Sequence, residues 1–148
     1  MMTTLFIAVA LLAAETGGRA EYIGGTLEAF TGHEAGRIQS TQQERLIFHT
    51  KKMNVEIPFR SVNLLEYGQK ADRRYVAAIL VSPLLLMSKK RDHFLTLGFS
   101  DDKGQQQAMV FRLEKGDVRT VLASLEARTG IKVQYQDNEA RKAAWGSK

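Results

Sequence analysis

The chain reads as a mainly β protein of the α+β kind. The expected form is a small antiparallel barrel or sandwich of six to seven short strands, closed by one C-terminal amphipathic helix, with an apolar helical insertion between strands. Three observations predict it. Apolar and polar residues alternate through much of residues 22–113, the two-residue period of strands with one buried face. Glycine and polar clusters cut these runs into short pieces. The period then changes at Val118, Val121, Leu122 and Leu125, whose i, i+3, i+4, i+7 spacing is that of a helix burying one stripe.

The elements follow in order. Leu5 to Ala14 is ten residues without a polar side chain, too short for a bilayer span of roughly twenty and right for the apolar part of a secretory signal peptide. Residues 1–20 are therefore expected to be such a signal, although residues 1–4 carry no Lys or Arg. Gly18 and Ala20 offer a cleavage site ahead of Glu21, and Leu12-Ala13-Ala14 offers another. The alternative is an apolar first strand or helix packed on the domain.

Residues 21–136 are expected to form one domain. Tyr22 to Phe30 is the first strand candidate, and Thr31 to Gly36 reads as a loop because two glycines and a polar set interrupt both periods. Arg37 to Ser40 and Glu44 to Thr50 follow as strands. Met53 to Phe59 places Val55, Ile57 and Phe59 inward with Asn54 and Glu56 outward, and Pro58 marks an edge or a strand end. Ser61 to Tyr67 continues the series, and Gly68 closes it. His93 to Phe99 sets Leu95, Leu97 and Phe99 against Phe94, Thr96 and Gly98. A polar hairpin connection leads to Gln105–Leu113, which aligns Met109, Phe111 and Leu113. The helix spans 117–129, with Asp117 as N-cap and Gly130 as stop. Ile131, Val133 and Tyr135 suggest a last short strand or an extended segment packed on the body, and residues 137–148 read as a polar, flexible tail.

Residues 73–91 stand apart. Tyr75 to Met87 is apolar except for Ser82 and Pro83, and it is clamped by Arg73, Arg74, Lys89, Lys90 and Arg91. Those five cations account for the whole net charge of +5, since the chain has 21 Lys and Arg against 16 Asp and Glu. As helix, the apolar run reaches about 20 Å, short of a ~30 Å hydrocarbon core, and Pro83 splits it into two pieces. Its large side chains, transferred from water at about 1.5 kcal/mol or more each, require a home in the core, a bilayer or a partner. Apolar contact with cations at both ends suits an anionic membrane surface. The membrane- or partner-binding candidates are Arg73, Arg74, Ile79, Leu80, Leu84, Leu85, Leu86, Lys89, Lys90 and Arg91.

The run of short strands followed by one helix resembles the pleckstrin-homology-like superfold, including its GRAM-like membrane-associated relatives. The residues that carry the likeness are Leu46 to Phe48, Val55 to Phe59, Val62 to Tyr67, Leu95 to Phe99, Met109 to Leu113 and the helix holding Val118 to Leu125. The Glu66-Tyr67-Gly68-Gln69-Lys70 and Ser88–Thr96 segments are also similar to exported bacterial proteins of unassigned function with a basic-bounded apolar insertion between two strands. The resemblance implies a small β domain, and fold analogy alone assigns it no function. It does not carry over phosphoinositide recognition, because Thr31 to Gly36 holds no Lys or Arg.

Other chemistry is sparse. The absence of cysteine excludes disulfides and thiol catalysis. A pI near 9.6 invites a nucleic-acid reading, but the basic excess flanks an apolar run instead of forming a stripe interleaved with aromatics, so no nucleic acid is expected. His33, His49 and His93 lack metal-ligand spacing, and His93 reads as a surface residue. Gly24-Gly25 reads as a turn or strand kink, and no serine sits in a Gly-x-Ser-x-Gly context. Glu56 and Glu66 are expected to face solvent, with an ion pair from Glu66 to Arg73 or Arg74 counting as structural. Trp145 reads as a frayed end or an interfacial anchor. No catalytic residue, cofactor or metal is expected. The predicted function is a non-enzymatic binding or scaffolding module, exported to the periplasm or beyond, with an anionic membrane surface or an envelope protein as partner. The alternative is a structural or protein-interaction domain whose insertion completes its own core.

Overall fold

The computed structural model describes residues 17–30, 32–70, 80–81 and 91–146. The chain is mainly β. Its elements are β1 (Gly17–Gly25), β2 (Glu34–Gln39), β3 (Arg45–Thr50), β4 (Asn54–Pro58), a single 3-10 turn at Phe59–Ser61, β5 (Val62–Gly68), β6 (Leu80–Val81), β7 (His93–Ser100), β8 (Gln106–Leu113), α1 (Val118–Thr129), β9 (Gln134–Tyr135) and α2 (Asn138–Trp145). Eight strands follow the order β4-β3-β2-β1-β8-β7-β5-β9, and β6 joins β1 beside this path. Pairing is antiparallel except between β5 and β9.

The sheet folds over on itself. Phe48 of β3 and Phe111 of β8 are three strands apart, roughly 14 Å in a flat sheet. Their ring centroids lie 4.9 Å apart, edge to face. Curling of this kind brings the inward side chains of β1 to β5, β7 and β8 into one core with Val118, Val121, Leu122 and Leu125 of α1. The inward assignments of Ile57, Leu95, Leu97, Met109, Phe111 and Leu113 made from alternation hold, since all six are buried in that core.

The expected closed barrel of six to seven strands is not formed. Pro58 ends β4 without an N–H for a further ladder. The chain then turns through Phe59–Ser61, with the Phe59 N–H donating to the Glu44 carbonyl at 2.9 Å. β4 and β5 are left unpaired with each other, and β9 lies along the other side of β5. The result is an open, curled sheet.

β1 starts at Gly17, pairs with Gln39 of β2 from its first residue and buries Ala20, so the site ahead of Glu21 lies within this strand. Three further expectations are corrected. β2 begins at Glu34, inside the expected loop, because its ladder with β1 continues through Glu21↔Ala35 to Tyr22↔Glu34. Leu80–Val81, inside the insertion expected to be helical, is extended and pairs with Gly25 and Gly24 of β1. The tail expected to be flexible is helical over Asn138–Trp145. Asp137 caps it by accepting from the Ala140 N–H at 2.7 Å, and Ala140 and Ala144 are buried. Trp145 Nε1 donates to Tyr135 Oη at 2.7 Å and the Arg119 guanidinium lies over its ring, so the side chain is docked.

Asp117 precedes α1 as expected, but its side chain makes no capping bond. Its carboxylate accepts from the Arg19 N–H at 2.8 Å, tying the start of the helix to β1. Gly130 ends α1 in the left-handed conformation, φ 73°, with its N–H on the Glu126 carbonyl. Residues 1–16, 71–79 and 82–90, which hold most of the expected signal segment and most of the insertion, lie outside the described residues.

Candidate functional site

The insertion leaves and rejoins the sheet at one place. Gly68 at the end of β5 pairs with Phe94 near the start of β7. The ladder extends one step outward, where the Asp92 N–H donates to the Gln69 carbonyl at 3.3 Å. Gln136 fastens the same spot from below: its N–H donates to the Tyr67 carbonyl at 3.1 Å and its side-chain amide to the Lys70 carbonyl at 3.1 Å. Gly68 leaves the space that the end of the Gln136 side chain occupies. The two roots of residues 71–90 are thus tied side by side.

Next to the roots lies a groove of about 580 Å³ between the starts of β1 and β7 and the end of β8. Its lining carries four cations, Arg19, Arg91, Arg112 and Lys115, and three carboxylates, Glu21, Asp92 and Glu114. Arg112 bridges the middle by donating to Glu21, and its other guanidinium nitrogen lies 3.8 Å from Asp92. His33 Nδ1 is 3.0 Å from the second Glu21 oxygen. Arg91 donates to Glu139 of α2 at 2.7 Å; both side chains are more than half exposed, so this pair contributes at most about 1 kcal/mol. Four cations against three carboxylates leave this lining with a small positive excess, and Arg112 and Arg91 are already ion-paired.

His93 sits at the groove wall and is half-buried, not a solvated surface residue. Its ring stacks on Tyr67, with Nδ1 2.5 Å from Tyr67 Oη. Burial, then the Lys115 charge, hold the imidazole below its ordinary value, with Asp92 and Glu114 opposing. Burial pushes the Tyr67 phenol up to about 12. The two groups therefore share a hydrogen bond in which the imidazole tautomer sets the donor.

The second face of the sheet is covered above the roots. Ile23, Phe94 and Val110 form a separate outer cluster and are only 3%, 6% and 6% exposed. Glu66, expected to face solvent, lies on this face and is 4% exposed, whereas Glu56 on the other half of the sheet does face solvent. Alternation cannot reveal such burial, because it reports one covered face and not two.

Of the predicted contact residues, Arg73, Arg74, Ile79, Leu84, Leu85, Leu86, Lys89 and Lys90 lie outside the described residues. Leu80 is opposite Gly25 in β6, and Arg91 is at the root, exposed and paired with Glu139. The structure adds Arg19, Arg112 and Lys115 to the same end. Sequence reasoning missed them because Arg19 lies far in sequence from Arg112 and Lys115 and none carries a local signature. No group of His, Asp and Glu placed to hold a metal ion occurs among the described residues. Comparison of the chain with protein-family models and with curated proteins finds no match.

Proposed function

We propose that this chain is a non-enzymatic binding module that docks peripherally on an anionic membrane surface through residues 73–91. The observation that carries the reading is the tied pair of roots beside a groove bearing Arg19, Arg91, Arg112 and Lys115. With both ends of the insertion held at one point, Arg73, Arg74, Lys89 and Lys90 add to cations already gathered at that end of the sheet. Each Lys or Arg near an anionic surface contributes about 1 kcal/mol, and Ile79, Leu80, Leu84, Leu85 and Leu86 supply apolar contact. Strands followed by α1 support the pleckstrin-homology-like resemblance, with the open seam along β4 as the departure from a barrel.

Export is part of the proposal. Because β1 begins at Gly17, the mature form starts upstream of it, with the Leu12-Ala13-Ala14 site in place of the one at Glu21. N-terminal sequencing of the exported form tests this, and a start at Glu21 contradicts it.

A second reading has its own support. β6 anchors the middle of the insertion on β1, and the outer cluster of Ile23, Phe94 and Val110 is covered. In that reading the insertion completes the fold of a protein-interaction domain. Co-sedimentation with phosphatidylglycerol vesicles separates the two. The membrane reading predicts binding at low salt that falls as salt rises, and a drop of at least about tenfold on Lys89→Glu with Lys90→Glu. Absence of low-salt binding removes it. Binding to an envelope protein but not to vesicles transfers the surface to a protein partner.

A further inference from the structure

The two ends of the sheet differ. β5 is followed by the short β9, paired at Glu66 and Tyr67, whereas β4 has β3 on one side and, among the described residues, no strand on the other. A groove of about 550 Å³ runs there instead, between β4 and the β7–β8 hairpin. Its apolar wall is built from Leu27, Val55 and Phe99, and its rim carries Asp101, Asp102 and Glu56, the last paired with Arg45 at 2.8 Å, against Arg60. This surface is distinct from the root groove.

We propose that the β4 edge accepts an extended peptide in which Lys or Arg alternates with apolar residues, added as a further strand. An unpaired edge presents backbone N–H and C=O groups that a strand can satisfy, while side chains of alternate residues set specificity. In an added strand the period of two directs one set of side chains to Leu27 and Val55 and the other to the acidic rim. That rim is fixed. Asp101 accepts from the Lys103 and Gln105 N–H groups at 2.9 and 2.8 Å and from Gln107 Nε2 at 2.9 Å. These bonds hold its carboxyl below the ordinary range, so the charge persists in mild acid. A cationic peptide is favoured over a second copy of the chain because β4 itself carries no Lys or Arg to set against Asp101 and Asp102.

The test is an amide-resolved NMR titration of the full chain with the blocked peptides Lys-Val-Lys-Val-Lys-Val and Glu-Val-Glu-Val-Glu-Val. The expected result is saturable shifts at residues 54–58 and 99–102 with the cationic peptide by about 1 mM, and none with the anionic one. Asp102→Lys, on an exposed turn, weakens binding about tenfold while the remaining spectrum confirms the fold. The proposal is overturned by equal response to both peptides, by shifts confined to other strands, by no shift at that concentration, or by concentration-dependent shifts at β4 without peptide.

Discussion

The fully buried Tyr67 and the half-buried His93 show how a polar pair sets a pH response. The His93 base is held below its ordinary value, so the folded chain binds fewer protons there than the unfolded chain. Its contribution to stability is complete above about pH 6.5 and declines as pH falls through that value toward its folded one. Tyr67 works at the other end. With its folded value at about 12 against an ordinary 10.0, its contribution is complete below about pH 10 and is lost as pH rises through 12. Urea titrations at pH 7.5 and 5.5 are expected to show a smaller acid loss in His93→Gln than in the parent chain. Identical losses contradict the assignment.

Elements were legible where one face is buried and one is wet. Met53 to Phe59 and Gln105–Leu113 have clean alternation, and their structure follows it into β4 and β8. The i, i+3, i+4, i+7 set likewise marks α1, whose four apolar positions are all buried. Elements held mainly by contacts distant in sequence were not legible. α2 buries only Ala140 and Ala144 and is fastened by Trp145 on Tyr135, so its composition looks like a tail. The start of β1 was hidden because Gly17 and Gly18 look like linker, yet their missing side chains leave room for the Ile38 carbonyl and for Asp117 and Val121. The root groove was equally hidden, since Glu21 and Arg112 meet across a separation of 91 residues. The Asp117 carboxylate that joins β1 to α1 is expected to matter at this scale. Asp117→Ala loses a charge-assisted bond and costs about 1.5–3 kcal/mol in urea unfolding, whereas a cost below about 0.5 kcal/mol shows the contact to be incidental.

At the scale of the whole molecule, the charge and the greasy residues are concentrated instead of spread. Without the five cations that flank the insertion, 16 Lys and Arg balance 16 Asp and Glu. The fold is an open sheet with two usable regions: the end where the insertion is rooted, and the uncovered β4 edge. No helix among the described residues is long and apolar enough to cross a membrane, and the proposed contact is peripheral. β6 pairs Leu80–Val81 with β1, and the proposed contact includes the Leu84-Leu85-Leu86 stretch beyond Pro83. The most direct measurement pairs urea unfolding with vesicle co-sedimentation for Leu85→Asp. The account predicts unfolding within about 1 kcal/mol of the parent and lost binding to anionic vesicles; a loss of about 2–5 kcal/mol, the cost of disrupting a buried core leucine, contradicts it.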